Sequence, residues 1–344
     1  MDAFARRLLD WYGQHGRHDL PWQHPRTPYR VWVSEVMLQQ TQVATVLPYF
    51  ERFMAALPDL PALAAAEEDR VLALWSGLGY YRRARHLHAA ARLCIALHQS
   101  ELPRDFEALA ALPGIGRSTA GAILALGDGQ RHAILDGNVK RVLARYHSVH
   151  GWPGDRAVAN ALWGHAEVHT PTTRLADYTQ AIMDLGATVC VRSNPRCEAC
   201  PQARDCIARR DGLTADLPTR RPKRMLPEKQ TVFIVLRDHD NRVLLQRRPP
   251  SGVWPGLWSL PEASDEHAAH ELAARLAGLD GDAGEALPEI THTFTHFRLR
   301  AVPHEWRSVE PLSAIADSTD SRWCSHADIA TLGLPAPVRK LLAP

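Results

Sequence analysis

Long uncharged runs are missing from this 344-residue chain, and no segment is extended and apolar enough to cross a bilayer. Between Met1 and Leu20 the apolar positions are interrupted by Asp2, Arg6, Arg7 and Asp10, which leaves no uncharged core of signal-peptide length. An excess of one charge sign is missing too. The 40 Lys and Arg against 38 Asp and Glu leave a net +2, which names no partner, because nucleic-acid binding depends on a local basic surface. Cysteine is scarce, six in all, and without an export signal the chain is expected in a reducing cytoplasm where disulfides do not persist. Internal repeats and low-complexity tracts are absent as well. What is present is 45% apolar content on a length that suggests two domains, each able to bury a core.

Four of the six cysteines fall within seventeen residues, as Cys190-x6-Cys197-x2-Cys200-x5-Cys206. Thiolates this close repel one another unless a cation or cluster neutralises them, so the stretch reads as one four-thiolate metal site. Structural zinc usually takes two Cys-x2-Cys pairs. One such pair with single cysteines at longer intervals on either side fits an iron–sulfur cluster better. Cys94 and Cys324, far away in sequence, read as small buried apolar residues.

From Phe4 to about Arg210 the pattern is helical, with amphipathic stretches such as Leu63 to Leu74, Ala84 to Leu97 and Thr119 to Leu126, and few alternating β-branched runs. Between Gly212 and Gln230, Pro218, Pro222 and Pro227 alternate with Arg220, Arg221, Lys223 and Arg224, which reads as an exposed linker. Strand-like runs follow at Thr231 to Leu236 and Arg242 to Gln246, then an amphipathic helix at Glu266 to Leu276 and a strand-rich region around His292 to Val302. The second domain is therefore expected to be α+β.

Three features of the helical part carry chemistry. Leu112-Pro-Gly-Ile-Gly-Arg-Ser-Thr-Ala joins two helical stretches through Gly114 and Gly116; a backbone that turns this sharply before a helix N-terminus suits a phosphate, and the run resembles a helix-hairpin-helix. Glu35, the only acid between Asp19 and Glu51, has Val31 and Leu38 as helical neighbours. It is either a carboxyl desolvated against apolar surface, with a raised pKa suited to a general acid, or a Glu on a solvated helix face. Asp136 follows Ala133-Ile134-Leu135, precedes Gly137-Asn138, and stands before a helix expected over Val139 to Arg145. As a helix cap it would be held ionised by N–H donors and the helix dipole. A protonated acid beside a fixed carboxylate is what cleavage of a glycosidic bond through a cationic sugar requires.

The order of Glu35-Val-Met-Leu-Gln-Gln-Thr-Gln, Gly77-Leu-Gly-Tyr-Tyr, Leu112-Pro-Gly-Ile-Gly-Arg-Ser-Thr-Ala, Ile134-Leu-Asp-Gly-Asn-Val-Lys-Arg and the four-cysteine tail resembles the adenine DNA glycosylase (MutY) family, from about residue 4 to the C-terminus. The resemblance implies a multidomain chain. Its first part is an all-α helix-hairpin-helix glycosylase at 1–212, with a six-helix barrel at about 28–135 and a cluster lobe of about 1–27 plus 136–212. A linker at 213–229 and an α+β Nudix-like domain at 230–344 complete it. It implies a 4Fe-4S cluster on Cys190, Cys197, Cys200 and Cys206, and binding as a monomer to double-stranded DNA containing A:8-oxoguanine or A:G mispairs. No membrane is involved, and the location is cytoplasmic, at the nucleoid if the source is bacterial. Adenine would be flipped into a pocket, where Glu35 protonates it and Asp136 stabilises the sugar cation. By the same resemblance Trp22, Gln23, Leu38 and Gln180 contact the base, Gln40 and Tyr80 wedge into the duplex, and Asn138 belongs to the DNA-binding set. Arg82, Arg83, Arg85, Lys140 and Arg141 are candidate phosphate contacts. Ser118 stands where the similar endonuclease III carries a lysine nucleophile, so the expected enzyme is monofunctional and leaves an abasic site.

Pro249 to Glu262 resembles the entry to a Nudix fold, but the stretch His270-Glu-Leu-Ala-Ala-Arg-Leu-Ala-Gly-Leu lacks the paired acids that would hold magnesium around a diphosphate. The domain is expected to recognise without hydrolysing. The resemblance implies that Phe294-Thr295-His296 reads the oxidised guanine, with threonine in place of the family's serine.

Overall fold

The computed structural model describes residues 1–222, 225–279, 284–310 and 320–343. Lys223 and Arg224, read above as part of the linker, lie outside them. The chain divides into two compact units, Met1–Ala65 with His86–Lys223, and Ala66–Arg85 with Arg224–Pro344. The span expected to form one barrel, 28–135, is thus divided, and residues 66–85 belong to the second unit.

The helices are α1 (Ala3–His15), α2 (Pro28–Leu38), α3 (Val43–Ala56), α4 (Leu60–Ala65), α5 (Glu68–Trp75), α6 (Arg82–Leu97), α7 (Phe106–Ala110), α8 (Arg117–Asp128), α9 (Gly137–Tyr146), α10 (Arg156–His169), α11 (Leu175–Asp184) and α12 (Ile207–Arg210). The run Leu63 to Leu74, expected as one helix, is two, because Glu67 sits in extended backbone at ψ 142° and caps α5. Thr27 caps α2 and Pro28 occupies its first turn, where a missing N–H costs nothing. α2 packs against α3 and α8, burying Trp32, Val33, Met37, Phe50 and Leu124. α11 packs against α1, α8 and α9 and continues as one π turn, Leu185–Val189. The start of the expected linker is not free: Leu217 is buried and its carbonyl accepts from Arg145 Nε at 2.8 Å. Cys94 and Cys324 are buried, as their apolar reading expects. No described helix is long and apolar enough to cross a membrane.

In the second unit the described strands are β1 (Glu228–Asp238), β2 (Val243–Arg247), β3 (Trp258–Ser259), β4 (Glu262–Ala263), β5 (Glu285–Ala286), β6 (Ile290–Thr293), β7 (Arg298–Val309) and β8 (Ser321–Cys324). They form one mixed sheet in the order β3-β2-β1-β7-β5, with β4 on β1, β6 on β7 and β8 on β2. The central pair β1 and β7 runs parallel, from Glu228 opposite Arg298 to Leu236 opposite Trp306. Both faces of β1 are covered, so it reads as an unbroken apolar run, Val232 to Leu236. Phe233 and Val235 face a core that includes Ile329 of α14 (His326–Thr331) and Val338 of α15 (Ala336–Leu341). Val232, Ile234 and Leu236 face Ala269, Ala273 and Ala277 of α13 (Glu266–Ala277). The segment 66–85 joins this unit through an ion pair of Asp69 with Arg247 at 2.6 Å and a hydrogen bond from Tyr81 Oη to the Leu334 carbonyl at 2.8 Å.

Candidate active site

Glu35 and Asp136, 101 positions apart, line the same cavity of about 870 Å³ in the helical unit, within the size range of small-molecule sites. Glu35 stands on the last turn of α2, one residue beyond the fully packed Ser34. It keeps some accessible surface because it faces the cavity, yet protein is packed so closely around its carboxyl that ionisation is opposed. Burial first, and the charge of Asp136 second, push its pKa up to about 8. No hydrogen bond to the Glu35 side chain is found among the described residues.

Asp136 caps α9. Its Oδ1 accepts from Val139 N at 2.8 Å, and its Oδ2 accepts from Asn138 Nδ2 at 3.1 Å. The expectation that these donors simply hold it ionised needs correction. They lower its pKa, as does Arg141, but burial outweighs them and the net direction is upward. An ionised Asp136 in turn opposes ionisation of Glu35.

Ser118, in the first turn of α8, also lines the cavity, and its Oγ accepts from Leu135 N at 2.9 Å. It therefore anchors the peptide just before the one that carries Asp136, a role the sequence does not reveal. Gly186 lets the π turn close on α9: a Cβ there would lie 2.6 Å from Asn138 Cβ. Arg141 spans the same junction, donating to Asn138 Oδ1 at 2.8 Å, the Gly186 carbonyl at 2.7 Å and the Cys190 carbonyl at 2.7 Å. With Nε and Nη2 engaged in this way it braces the junction.

Trp22, Leu38, Gln40, Asn138 and Gln180 line the cavity as well. Gln180 Nε2 donates to Asp184 Oδ1 at 2.8 Å, and Asp184 is in turn held by Arg17 at 2.6 Å. Because a carboxylate only accepts, this network fixes which end of the Gln180 amide is left for a ligand. Gln23 is not in the wall: its Nε2 donates to the Arg17 carbonyl at 3.0 Å and its Oε1 accepts from Leu20 N at 3.3 Å, so it braces the preceding loop. Arg17 and Asp184 escape the sequence reading because nothing in their spacing marks a residue that orients another.

Gly114 has φ 78° and Gly116 caps α8, as a sharp hairpin between α7 and α8 requires. A Cβ on Gly114 would also meet His86 Cβ at 2.8 Å, so the position excludes a side chain twice over. Gln40 and Tyr80, the expected wedges, are both exposed on left-handed backbone, at φ 60° and φ 49°. Such backbone is strained for non-glycine residues and concentrates at functional positions. Tyr81, not Tyr80, is the buried ring of its pair. Arg83 donates to the Gly79 carbonyl at 3.1 Å and Arg85 pairs with Glu68 at 3.2 Å, so both are already engaged.

All four cysteines of the tail line one cavity together with Arg145, whose Nη1 lies 3.3 Å from Cys190 Sγ. Burial, and then the neighbouring cysteines, push the Cys200 thiol up to about 12, so thiolates there need a compensating positive group. Among the described residues no three His, Cys, Asp or Glu side chains are arranged to hold a single metal ion. In the second unit Phe294 N donates to the Phe297 carbonyl at 2.9 Å, closing a tight turn between β6 and β7. Phe294 stacks on Phe297 at 4.4 Å, while Thr295 and His296 stand exposed at the tip.

Residues 33–167 match the HhH-GPD superfamily of base excision DNA repair proteins, and residues 232–344 match the NUDIX domain. The chain is 35% identical over 339 residues to the adenine DNA glycosylase of Buchnera aphidicola subsp. Acyrthosiphon pisum (strain APS), covering 98% of this chain and 96% of that protein. It is 32% identical to the human adenine DNA glycosylase, over 98% of this chain and 73% of that one. Among solved structures, a thermostable thymine-DNA glycosylase superposes with a TM-score of 0.53 at 26% identity, over 60% of this chain and 95% of that one. A non-covalent endonuclease III–DNA complex superposes at 0.52 and 20% identity, over 61% and 95%, which speaks for the helical fold alone. With relatives of this identity matched along nearly its whole length, and an acid pair set in one cavity, the chain belongs to the adenine DNA glycosylase family and is a DNA N-glycosylase.

Proposed function

We propose that this enzyme removes adenine mispaired with 8-oxoguanine or guanine from duplex DNA by hydrolysis, leaving an abasic site. The observation that carries the reading is the shared cavity of Glu35 and Asp136, in which one carboxyl is lifted to about 8 by burial and by the charge of the other. An adenine flipped out of the stack enters this cavity. Trp22 and Leu38 offer it apolar surface, and the Oε1 of Gln180 is the acceptor left for an amino group. Glu35, neutral at physiological pH, gives its proton to a ring nitrogen and turns the base into a leaving group. Asp136 then faces the cationic sugar as an anion, and the Glu35 carboxylate draws a proton from the attacking water. Ser118 supplies no amine, and its hydroxyl is engaged with Leu135 N, so no Schiff base forms at this position.

The turn at Gly114 and Gly116 would take a DNA phosphate on the first amides of α8, with Gln40 and Tyr80 entering the duplex beside the lesion. The cysteine cavity fits a 4Fe-4S cluster bound by Cys190, Cys197, Cys200 and Cys206, since all four cysteines line one space and a guanidinium already lies against the Cys190 sulfur. When bound, such a cluster neutralises the four thiolates and staples the loop to α9 through Arg141 and Arg145. Thr295 and His296, exposed on a turn anchored by Phe294, would read the oxidised guanine.

Single-turnover excision on an A:8-oxoguanine duplex tests the mechanism. Glu35→Gln is expected to lose at least about 100-fold in rate, and a variant as fast as the parent would end this assignment. Thr295→Ala with His296→Ala should narrow the preference for 8-oxoguanine over guanine while leaving the A:G rate in place.

A further inference from the structure

A side-chain amide in a cavity wall can be set in two ways, and the two read opposite chemistry. With its oxygen inward it accepts from an amino group; with its nitrogen inward it donates to a carbonyl. Gln180 is held in the first setting by a neighbour that touches no ligand. Asp184, four residues on along α11 and so on the same face, accepts from Gln180 Nε2 at its Oδ1. Its side chain is 1% exposed and has no freedom of its own. Oδ1 also accepts from Arg17 Nε at 2.9 Å and Nη2 at 2.6 Å, and Oδ2 accepts from Arg17 N at 2.8 Å. Gln180 Oε1, by contrast, makes no hydrogen bond among the described residues and is not sealed from solvent, so it stands open to the cavity.

We propose that Asp184, fixed by Arg17, is the positioning residue that makes this cavity accept purines with an amino group at carbon 6 and reject those with a carbonyl there. The inference rests on the reading of the cavity as the pocket for adenine. A 6-amino group donates to the fixed Oε1. A 6-carbonyl turns lone pairs toward it, and the amide cannot rotate to offer Nε2 without setting Oε1 against the Asp184 carboxylate. Hypoxanthine, the deamination product of adenine, has almost the same size and shape, yet is turned away on this ground. Guanine, the other member of an A:G mispair, carries the same carbonyl. With Asp184 removed, the group left beside the amide is the Arg17 guanidinium, which only donates. Oε1 then turns to it and Nε2 faces the cavity.

The test compares single-turnover excision of adenine and of hypoxanthine, each opposite 8-oxoguanine, by the parent and by Asp184→Ala. The parent is expected to favour adenine, and the variant to lower the adenine-to-hypoxanthine ratio by about 10- to 100-fold, with hypoxanthine removed faster than by the parent. Lost stability alone cannot produce that gain. An unchanged ratio, while the parent still excises adenine, would overturn this role and leave the proposed function standing; a parent that excises no adenine would overturn both. If Asp184→Ala does not fold, the parent decides the matter with purine, which carries only hydrogen at carbon 6. Each rate is divided by that of acid-catalysed loss of the same base in solution. Hypoxanthine should then fall below purine, because the fixed oxygen repels its carbonyl, and hypoxanthine at or above purine would overturn the inference.

Discussion

Glu35 gives up its proton only near pH 8, because the protein packed around it and the charge of Asp136 both oppose ionisation. If it is the proton donor, the single-turnover rate should hold steady through neutral pH and fall about tenfold per unit above 8, a profile read directly from rates between pH 6 and 10. The same shift affects stability. A carboxyl whose folded pKa exceeds its unfolded one, near 4.5, stabilises the fold fully below that value, and the contribution is lost as pH rises through 8. Glu35→Gln has no charge to desolvate, so at pH 8 it should be more stable than the parent, on the order of 2–4 kcal/mol, measured by denaturant unfolding. Ser118→Ala leaves Leu135 N without its acceptor. It should cost about 1 kcal/mol in the same measurement and slow excision, because Asp136 hangs on the next peptide. Glu35 was legible as an acid isolated among apolar neighbours, and Asp136 as a cap. Gln23, Arg83 and Arg141 were not, because residue type says nothing about whether an amide or guanidinium is already satisfied by carbonyls from distant segments.

Elements were readable wherever period and caps agreed. The helix expected at Glu266 to Leu276 is α13, and the strand expected at Thr231 to Leu236 lies inside β1. The strand-rich region expected around His292 to Val302 is the pair β6 and β7, with the chain turning back between them at Phe294 to Phe297, a turn without glycine or proline to announce it. Glycine does announce the hairpin before α8. Gly114→Ala should lower the thermal midpoint by several degrees, about 1–3 kcal/mol, since the new methyl meets both positive φ and His86. It should also weaken DNA affinity, measured by anisotropy. At the ends of α1, α9 and α10 a chain of contacts runs from Asp2 to His169 Nδ1 and from His169 Nε2 to His147 Nε2 at 2.8 Å, with His165 stacked on His147 at 3.7 Å. Burial, and then His165 and His169, lower the His147 pKa from 6.5 to about 4. A histidine depressed in the fold contributes stability that is complete above its unfolded pKa and is lost as pH falls from 6.5 toward 4. Thermal midpoints over that range should drop in the parent and drop less in His147→Gln.

At the scale of the whole molecule, a cut at the proline-rich linker was the natural division to draw from composition, yet residues 66–85 side with the C-terminal part. Nothing in that segment's pattern signals the choice. It is amphipathic like its neighbours, and its partners, Arg247 for Asp69 and the Leu334 carbonyl for Tyr81, lie more than 170 positions downstream. A version ending at Arg210 would therefore keep Tyr81, which is buried in the full chain, without the Leu334 carbonyl that accepts from its hydroxyl. It should elute with aggregates in size-exclusion chromatography and bind a hydrophobic dye more strongly than the full protein.

Because the second unit is assembled from two stretches that flank part of the first, ribosomal synthesis delivers its pieces at different times. The early piece must wait for most of the polypeptide to emerge before it finds its covering, which makes this the stage at which a nascent chain is most in need of a chaperone.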